Sequence, residues 1–473
     1  MFLSRSLVQQ GSRRRIIHGA AMSLSSFSKE SVTTKVSPSV NHGPFGSGGT
    51  ISGFSKYDGV RAAFEENFAR KLELGSQLVI YEKGEKVVDL FGAAPEQEGY
   101  NANTLQCVYS SGKNMEAIAM AMLVDRGLVD YDDPVTMYWP EFGANGKDRV
   151  TLADVMRHEG GVPFLVDPKS PSDSKDTIVI TPEDVANVDA LEMKICAAAD
   201  SPAGDNPRMY HSITRGWLVN GILRRVDPGG RSLGTFIREE IAKPLDITYI
   251  CGIPKEEQGD YEYANMSQGS ILYNLCMQIL PAMSGFGDVQ LASLLKVLLK
   301  KDNLISKQVV SWLKLPPTPG FNDTQEGRSL EISSAGMFTN ARSMAKINAV
   351  MAGDGSFGGV RLLSEEGVRN SMSAIKPAVD LALETPIGFS KGGFGRFSDS
   401  FGDADRPVTP PIYHADDRIA FGDFIGWGGW GGSISFWDRD REIAFSYCMN
   451  AMEPFVIGGP RTRRILLELQ KVI

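Results

Sequence analysis

The sequence is poor in the features that commit a chain to disulfide, metal, membrane or nucleic-acid chemistry. Its five cysteines, Cys107, Cys196, Cys251, Cys276 and Cys448, are odd in number, widely scattered, and show no C-x-x-C or Cys/His pairing. That pattern supports neither a disulfide framework nor a zinc site, and no metal or organic cofactor is expected. Long apolar runs are missing too: Ile271 to Met283 is short and broken by Pro281, too little to cross a bilayer. There is no basic surplus, since 49 Lys and Arg face 57 Asp and Glu for a net charge of -8. A nucleic-acid partner, whose phosphates demand a basic surface, is therefore not expected. Histidine is scarce. Of the five, His18 and His42 fall near the N-terminus, and no G-x-S-x-G surrounds a plausible elbow serine. A Ser-His-Asp triad therefore ranks low, with His158 and His211 read as structural.

What remains is the composition of a packed, soluble globular protein: 473 residues, 42% hydrophobic, with 50 Gly and 25 Pro spread without a period. The first 29 residues stand apart, carrying Arg5, Arg13, Arg14, Arg15 and Lys29, many Ser, and no acid before Glu30. An Arg- and Ser-rich, acid-free start resembles a mitochondrial transit peptide. We read residues 1–36 as a targeting or disordered segment, with a cytoplasmic protein bearing a plain tail as the alternative. Residues 37–53, rich in Ser, Gly, Pro and Asn, read as a linker ahead of one domain over 54–473.

In that domain Val60, Phe64, Phe68 and Leu72 recur every four residues and predict a helix. Gln77–Tyr81 and Lys86–Leu90 flank Lys83-Gly84 and predict a hairpin, as do Ser433–Trp437 and Glu442–Tyr447 around Asp438–Arg441. Pro460 opens a final helix with Ile465, Leu466 and Leu469 on one face. The fold expected is mixed α/β (α+β): an antiparallel sheet built from both termini, flanked by helices, with a mainly helical insertion between.

Three places bear chemistry. Ser110 and Lys113, one helical turn apart, open an apolar helix through Met115, Ile118, Met122 and Leu123 that Gly127 closes. That arrangement offers a hydroxyl, an amine whose pKa burial can lower, and helix-start N–H groups for an oxyanion. S-x-x-K alone is weak, since the spacing recurs at Ser26/Lys29, Ser172/Lys175, Ser293/Lys296, Ser311/Lys314, Ser343/Lys346 and Ser373/Lys376. Context singles out Ser110. The second place is Tyr210-His211-Ser212, where a phenol beside an ammonium can exchange its proton; Tyr263-Ala264-Asn265 competes with it. The third is Gly426-Trp427-Gly428-Gly429-Trp430, expected to open the penultimate strand, where glycine admits close approach and strand-edge N–H groups can donate.

Taken in order, these segments resemble the serine β-lactamase and penicillin-binding-protein-like hydrolases, especially the class C-like branch with its esterases and eukaryotic mitochondrial members. Ser110-Ser111-Gly112-Lys113, the stretch Gly127 to Val135, Val150 to Pro163, Tyr210-His211-Ser212, Ser334 to Arg342 and Gly358 to Ser364 carry the resemblance, from about Tyr57 onward. It implies a β-lactamase/transpeptidase-like fold and Ser110 as acylated nucleophile. Lys113 would lower the nucleophile's pKa, Tyr210 would act as base and later acid, and Ser212 would complete the hydrogen-bond network. The N–H groups of Ser110 and Trp430 would form the oxyanion hole, with Trp427, Gly428 and Gly429 beside it. Many members carry Lys or His, then Thr or Ser, then Gly, where this chain has Trp427-Gly428-Gly429. Loss of that cation and hydroxyl favours neutral substrates, so the expectation is a carboxylesterase-like hydrolase of small esters or, second, of amide or peptide bonds. A catalytically inactive scaffold acting by binding or self-assembly is the alternative, and the sequence is compatible with a homo-oligomer.

Overall fold

The computed structural model describes residues 46–51, 56–169, 177–200, 208–267, 319–383, 385–403, 406–407, 416–453 and 459–473. The Arg- and Ser-rich N-terminal segment and the stretch Ile271 to Met283 lie outside the described residues.

A nine-stranded sheet dominates. In chain order its strands are β1 (Gly46–Ile51), β2 (Gly75–Glu82), β3 (Glu85–Ala93), β4 (Lys376–Asp380), β5 (Thr385–Phe389), β6 (Gly395–Arg396), β7 (Ile425–Gly428), β8 (Ile434–Asp438) and β9 (Ile443–Met449). They stand in the order β1-β3-β2-β9-β8-β7-β6-β5-β4, and each pairing is antiparallel. The N- and C-terminal hairpins thus meet at β2 and β9. The sheet reaches further than those hairpins: β4 to β6 come from the stretch expected to be mainly helical. β1 arises within the glycine-rich stretch read as linker and pairs with β3. At the β2–β3 turn Lys83 and Gly84 have φ of 51° and 78°, the two left-handed residues that a tight hairpin matched to strand twist requires.

Alternation along the central strands assigns each face its own core. On β9, Ile443, Phe445, Tyr447 and Met449 point one way, Ala444 and Cys448 the other; on β2, Leu78 and Ile80 oppose Val79 and Tyr81. The first face packs under helices α1 (Asp58–Ala69) and α5 (Pro460–Gln470), through Val60, Phe64, Phe68, Ile465, Leu466 and Leu469. Burying six such side chains at about 1.5–3 kcal/mol each is what fastens the two termini over one face. The opposite face meets α4 (Ala341–Ala352), α2 (Lys113–Asp125) and α3 (Thr214–Val226). From Lys113 to Leu123 every residue of α2 is buried. Charges on such a helix must find partners inside, and Lys113 and Glu116 do. Among the described residues no helix is long and apolar enough to cross a membrane.

Candidate active site

Ser110 sits in a short 3-10 turn, Tyr109–Gly112, that runs directly into α2. The turn is entered through Tyr109 in the left-handed region, φ 45°, an unfavourable conformation held by the packing around it. As an early residue of a helical turn, Ser110 has an N–H with no intrahelical acceptor.

Lys113 follows one turn later with no exposed surface. Its Nζ lies 2.8 Å from the Ser212 carbonyl, 2.8 Å from the Ser334 carbonyl and 3.2 Å from Ser110 Oγ. Desolvation holds its pKa well below the ordinary lysine value; the Arg215 guanidinium pushes it the same way, and the Glu116 carboxylate opposes both. Tyr210 Oη stands 2.5 Å from Ser110 Oγ, and burial raises the phenol's pKa above its usual value. The structure thus brings Ser110, Lys113 and Tyr210 into one contact set. Ser212 joins through its main-chain carbonyl, a contact open to any residue type.

The glycine-rich segment lies across the nucleophile turn. A Cβ on Gly429 would come 2.2 Å from the Val108 carbonyl and 2.3 Å from Ser433 Oγ, so the two chains approach more closely than any side chain allows. Ser111 and Ser433 hydroxyls, 2.9 Å apart, stitch the approach together. Trp430 is half-buried, with its ring edge-on to Tyr109 at 5.5 Å. Trp427 is different. Its indole is 2% exposed, donates to the Gly393 carbonyl at 2.9 Å and stacks on Phe389 at 5.2 Å. The guanidinium of Arg215 covers it at 4.8 Å. The ring is a wall behind Lys113 and Tyr210, and only its backbone runs with Gly428 along β7, which ends just before Gly429. This run forms a strand of its own, paired with β8, and does not open the penultimate strand as the sequence suggested.

A family model described as Beta-lactamase matches residues 60–470. The chain belongs to the β-lactamase family. The curated "Esterase/beta-lactamase LipL" of Mycobacterium tuberculosis (strain ATCC 25618 / H37Rv) is 27% identical over 400 residues, 82% of this chain and 80% of that protein. Among solved structures, a penicillin-binding-protein homologue from Caulobacter crescentus aligns with a TM-score of 0.69 at 27% identity, over 90% of this chain and 100% of the other. A family VIII carboxylesterase aligns at 0.68 and 25% identity, with the same coverage. This β-lactamase-family chain is a serine hydrolase with a β-lactamase/transpeptidase-like fold.

Around the β-lactamase-family core stand residues that the sequence did not single out. Glu116 and Arg215 form a fully buried ion pair at 2.8 Å. Glu116 also accepts from the Ser333 and Ser334 hydroxyls at 2.8 and 2.6 Å, while Arg215 donates to the Lys113 carbonyl at 2.7 Å. A glutamate next to the long apolar run Ala117–Val124 of α2 was the available signal. Asp380 accepts from the Tyr210 N–H at 3.1 Å, and Glu159 binds Arg208 at 2.7 Å. Nothing local marks those long-range partners. Among the described residues no cluster of His, Cys, Asp or Glu is disposed to hold a metal ion.

Proposed function

We propose that this chain is a carboxylesterase-type hydrolase that works through an acyl-Ser110 intermediate, with Lys113 as the base. The observation that carries the reading is the surroundings of Lys113 Nζ. A neutral amine has two N–H bonds and one lone pair. Two carbonyls at 2.8 Å take the N–H bonds, which leaves the lone pair for the Ser110 hydroxyl at 3.2 Å. Burial favours that neutral form. Tyr210, whose pKa is raised, stays a phenol and hydrogen-bonds to Ser110 Oγ. These electrostatics support an order of roles opposite to the one the resemblance implied, in which the tyrosine acts first as base.

In acylation Ser110 attacks the ester carbonyl while its proton passes to Lys113. The tetrahedral oxyanion is met by the N–H groups of Ser110 and Trp430, preorganised donors of the kind that stabilise such states by about 3–4 kcal/mol each. Tyr210 then protonates the departing alkoxide, and the Lys113 ammonium faces the resulting phenolate. In deacylation the phenolate takes a proton from water as it attacks, and Lys113 returns its proton to Ser110. All three groups end as they began.

Esters are favoured over β-lactams because Trp427-Gly428-Gly429 offers neither a cation nor a hydroxyl, Lys113 is held in its neutral form by burial, and Arg215 is buried and paired with Glu116. A substrate carboxylate therefore loses a charge-assisted bond worth about 1.5–3 kcal/mol. The likeness to the family VIII carboxylesterase supports ester hydrolysis, while LipL is named for both esterase and β-lactamase activity. We also propose that residues 1–36 direct the chain to mitochondria. Import assays with and without that segment test the address.

The deciding experiment is intact-mass analysis after fluorophosphonate treatment, beside turnover of p-nitrophenyl butyrate and a chromogenic cephalosporin. Single labelling lost in Ser110→Ala, with ester turnover exceeding cephalosporin turnover, is expected. Absence of labelling in folded protein, or a preference for the cephalosporin, overturns the proposal.

A further inference from the structure

His158 carries two unfavourable features at once. Its backbone is left-handed, φ 65°, and its imidazole is fully buried with Nε2 lacking a hydrogen-bond partner among the described residues. Strained backbone and an unsatisfied buried donor persist only where surrounding contacts outweigh them, and they concentrate at functional sites.

Those contacts converge on the tyrosine segment. The His158 carbonyl accepts from the Met209 N–H at 3.0 Å, and His158 Nδ1 accepts from the His211 N–H at 3.0 Å. One residue therefore grips both chain neighbours of Tyr210. Its ring lies 4.8 Å from the Tyr210 ring and 5.4 Å from Trp427. His211 closes the clasp from the other side: Nε2 accepts from the Val162 N–H at 3.1 Å, and Nδ1 meets the Met209 carbonyl at 2.7 Å. These bonds fix both tautomers. His158 must be neutral, with its proton on Nε2, because Nδ1 is an acceptor.

We propose that His158 is a positioning residue for the reaction: its Nδ1 holds the Tyr210 segment so that the phenol stays aimed at Ser110 Oγ and the departing group. This rests on Tyr210 acting as proton donor, as argued above. An imidazole at this place is kept for an acceptor at Nδ1 on a left-handed backbone. Asparagine supplies both, since its Oδ1 occupies the Nδ1 place and it tolerates positive φ better than most residues. Glutamine, with its amide one carbon further out, supplies neither.

The test is the ratio of kcat/KM for a p-nitrophenyl ester to that for the ethyl ester of the same acid, in the full-length protein. Proton donation matters little for p-nitrophenolate and greatly for ethoxide, and a ratio within one preparation is independent of how much protein is folded. Tyr210→Phe raises the ratio at least tenfold. His158→Gln raises it in the same direction, His158→Asn keeps it within about threefold of the parent, and Tyr210→Phe combined with His158→Gln gives no more than Tyr210→Phe alone. If Tyr210→Phe raises the ratio while His158→Gln leaves it at the parent value, or the two effects multiply, His158 does not act through Tyr210. If Tyr210→Phe leaves the ratio unmoved, the proton-donor role itself is wrong. His158→Leu, apolar and without an acceptor, is expected to behave as His158→Gln and serves if the glutamine variant does not accumulate.

Discussion

At the scale of single residues the chemistry turns on the protonation of one amine. Burial disfavours the charged form of Lys113, and in the proposed mechanism only the neutral form has a lone pair for Ser110. Its pKa is depressed, so kcat/KM should rise with pH through that depressed value as a single deprotonation. No alkaline fall belongs to Tyr210, whose pKa is raised. A pH–rate profile with a neutral ester checks both limbs. Lys113→Arg should be as inactive as Lys113→Met, each down by about 10²–10⁴, because a guanidinium keeps its charge at every working pH and cannot serve as base. Substantial activity in the arginine variant would mean that the site needs a cation there and no base. Gly429 is the other residue with no substitute. In Gly429→Ala the new methyl meets the Val108 carbonyl and Ser433 Oγ, so β7 must retreat from the nucleophile turn. A drop of about 10–10³ in kcat is expected while fluorophosphonate labelling slows in parallel, since in the proposed mechanism both reactions use the oxyanion donors.

Between elements, the ion pair of Glu116 on α2 and Arg215 on α3 sets the potential that Lys113 feels. The carboxylate raises the lysine pKa and the guanidinium lowers it, so breaking the pair from either side moves the acid limb of the pH–rate profile in opposite directions. Glu116→Gln should shift it to lower pH and Arg215→Met to higher pH. Each variant should also lose about 3–5 kcal/mol in urea unfolding, because a buried charge is left alone. The element scale is also where the sequence was legible and where it stopped. Period-four and period-two patterns located α1, the two terminal hairpins and α5, because each buries one face against a single core. Leu72, read on the α1 stripe, lies past the helix end at Ala69 yet is still buried. Ser110, Lys113 and Tyr210 were readable because a turn entering an apolar helix and a Y-x-S entering another are local patterns. Glu116, His158 and Asp380 were not, because their partners lie 99, 53 and 170 residues away. Strands β4 to β6 escaped notice since Lys376–Asp380 is mostly exposed and shows no clean alternation.

Across the whole molecule the two ends of the domain are locked together behind the glycine-rich segment Gly426–Gly432. Arg461, at the start of α5, pairs with Glu73 ahead of β2 at 2.8 Å and with Glu453 after β9 at 3.2 Å, and donates to the Gly431 carbonyl at 2.9 Å. Tyr447 hydrogen-bonds to Glu73 as well. Two buried carboxylates share one guanidinium in this cluster, and burial lifts the Glu73 pKa to about 7. The folded protein therefore holds a proton that the unfolded chain releases near pH 4.3. Stability from this group is present below that value and is lost as pH rises through about 7, so urea midpoints should fall between pH 5.5 and 8. Glu73→Gln, which cannot ionise, should flatten that slope. Arg461→Met removes the shared cation and should cost about 3–5 kcal/mol, the penalty of carboxylates left unpaired in a dry core. Adding Glu73→Gln and Glu453→Gln to Arg461→Met should restore much of that stability, since no buried charge then remains in the cluster. Ester turnover should stay low in the triple variant. Without Arg461 the Gly431 carbonyl keeps only the Glu453 N–H at 3.2 Å of its two donors, so the segment carrying Trp430 is held less firmly against the nucleophile turn. Recovery of stability together with full turnover would show that the cluster serves folding alone.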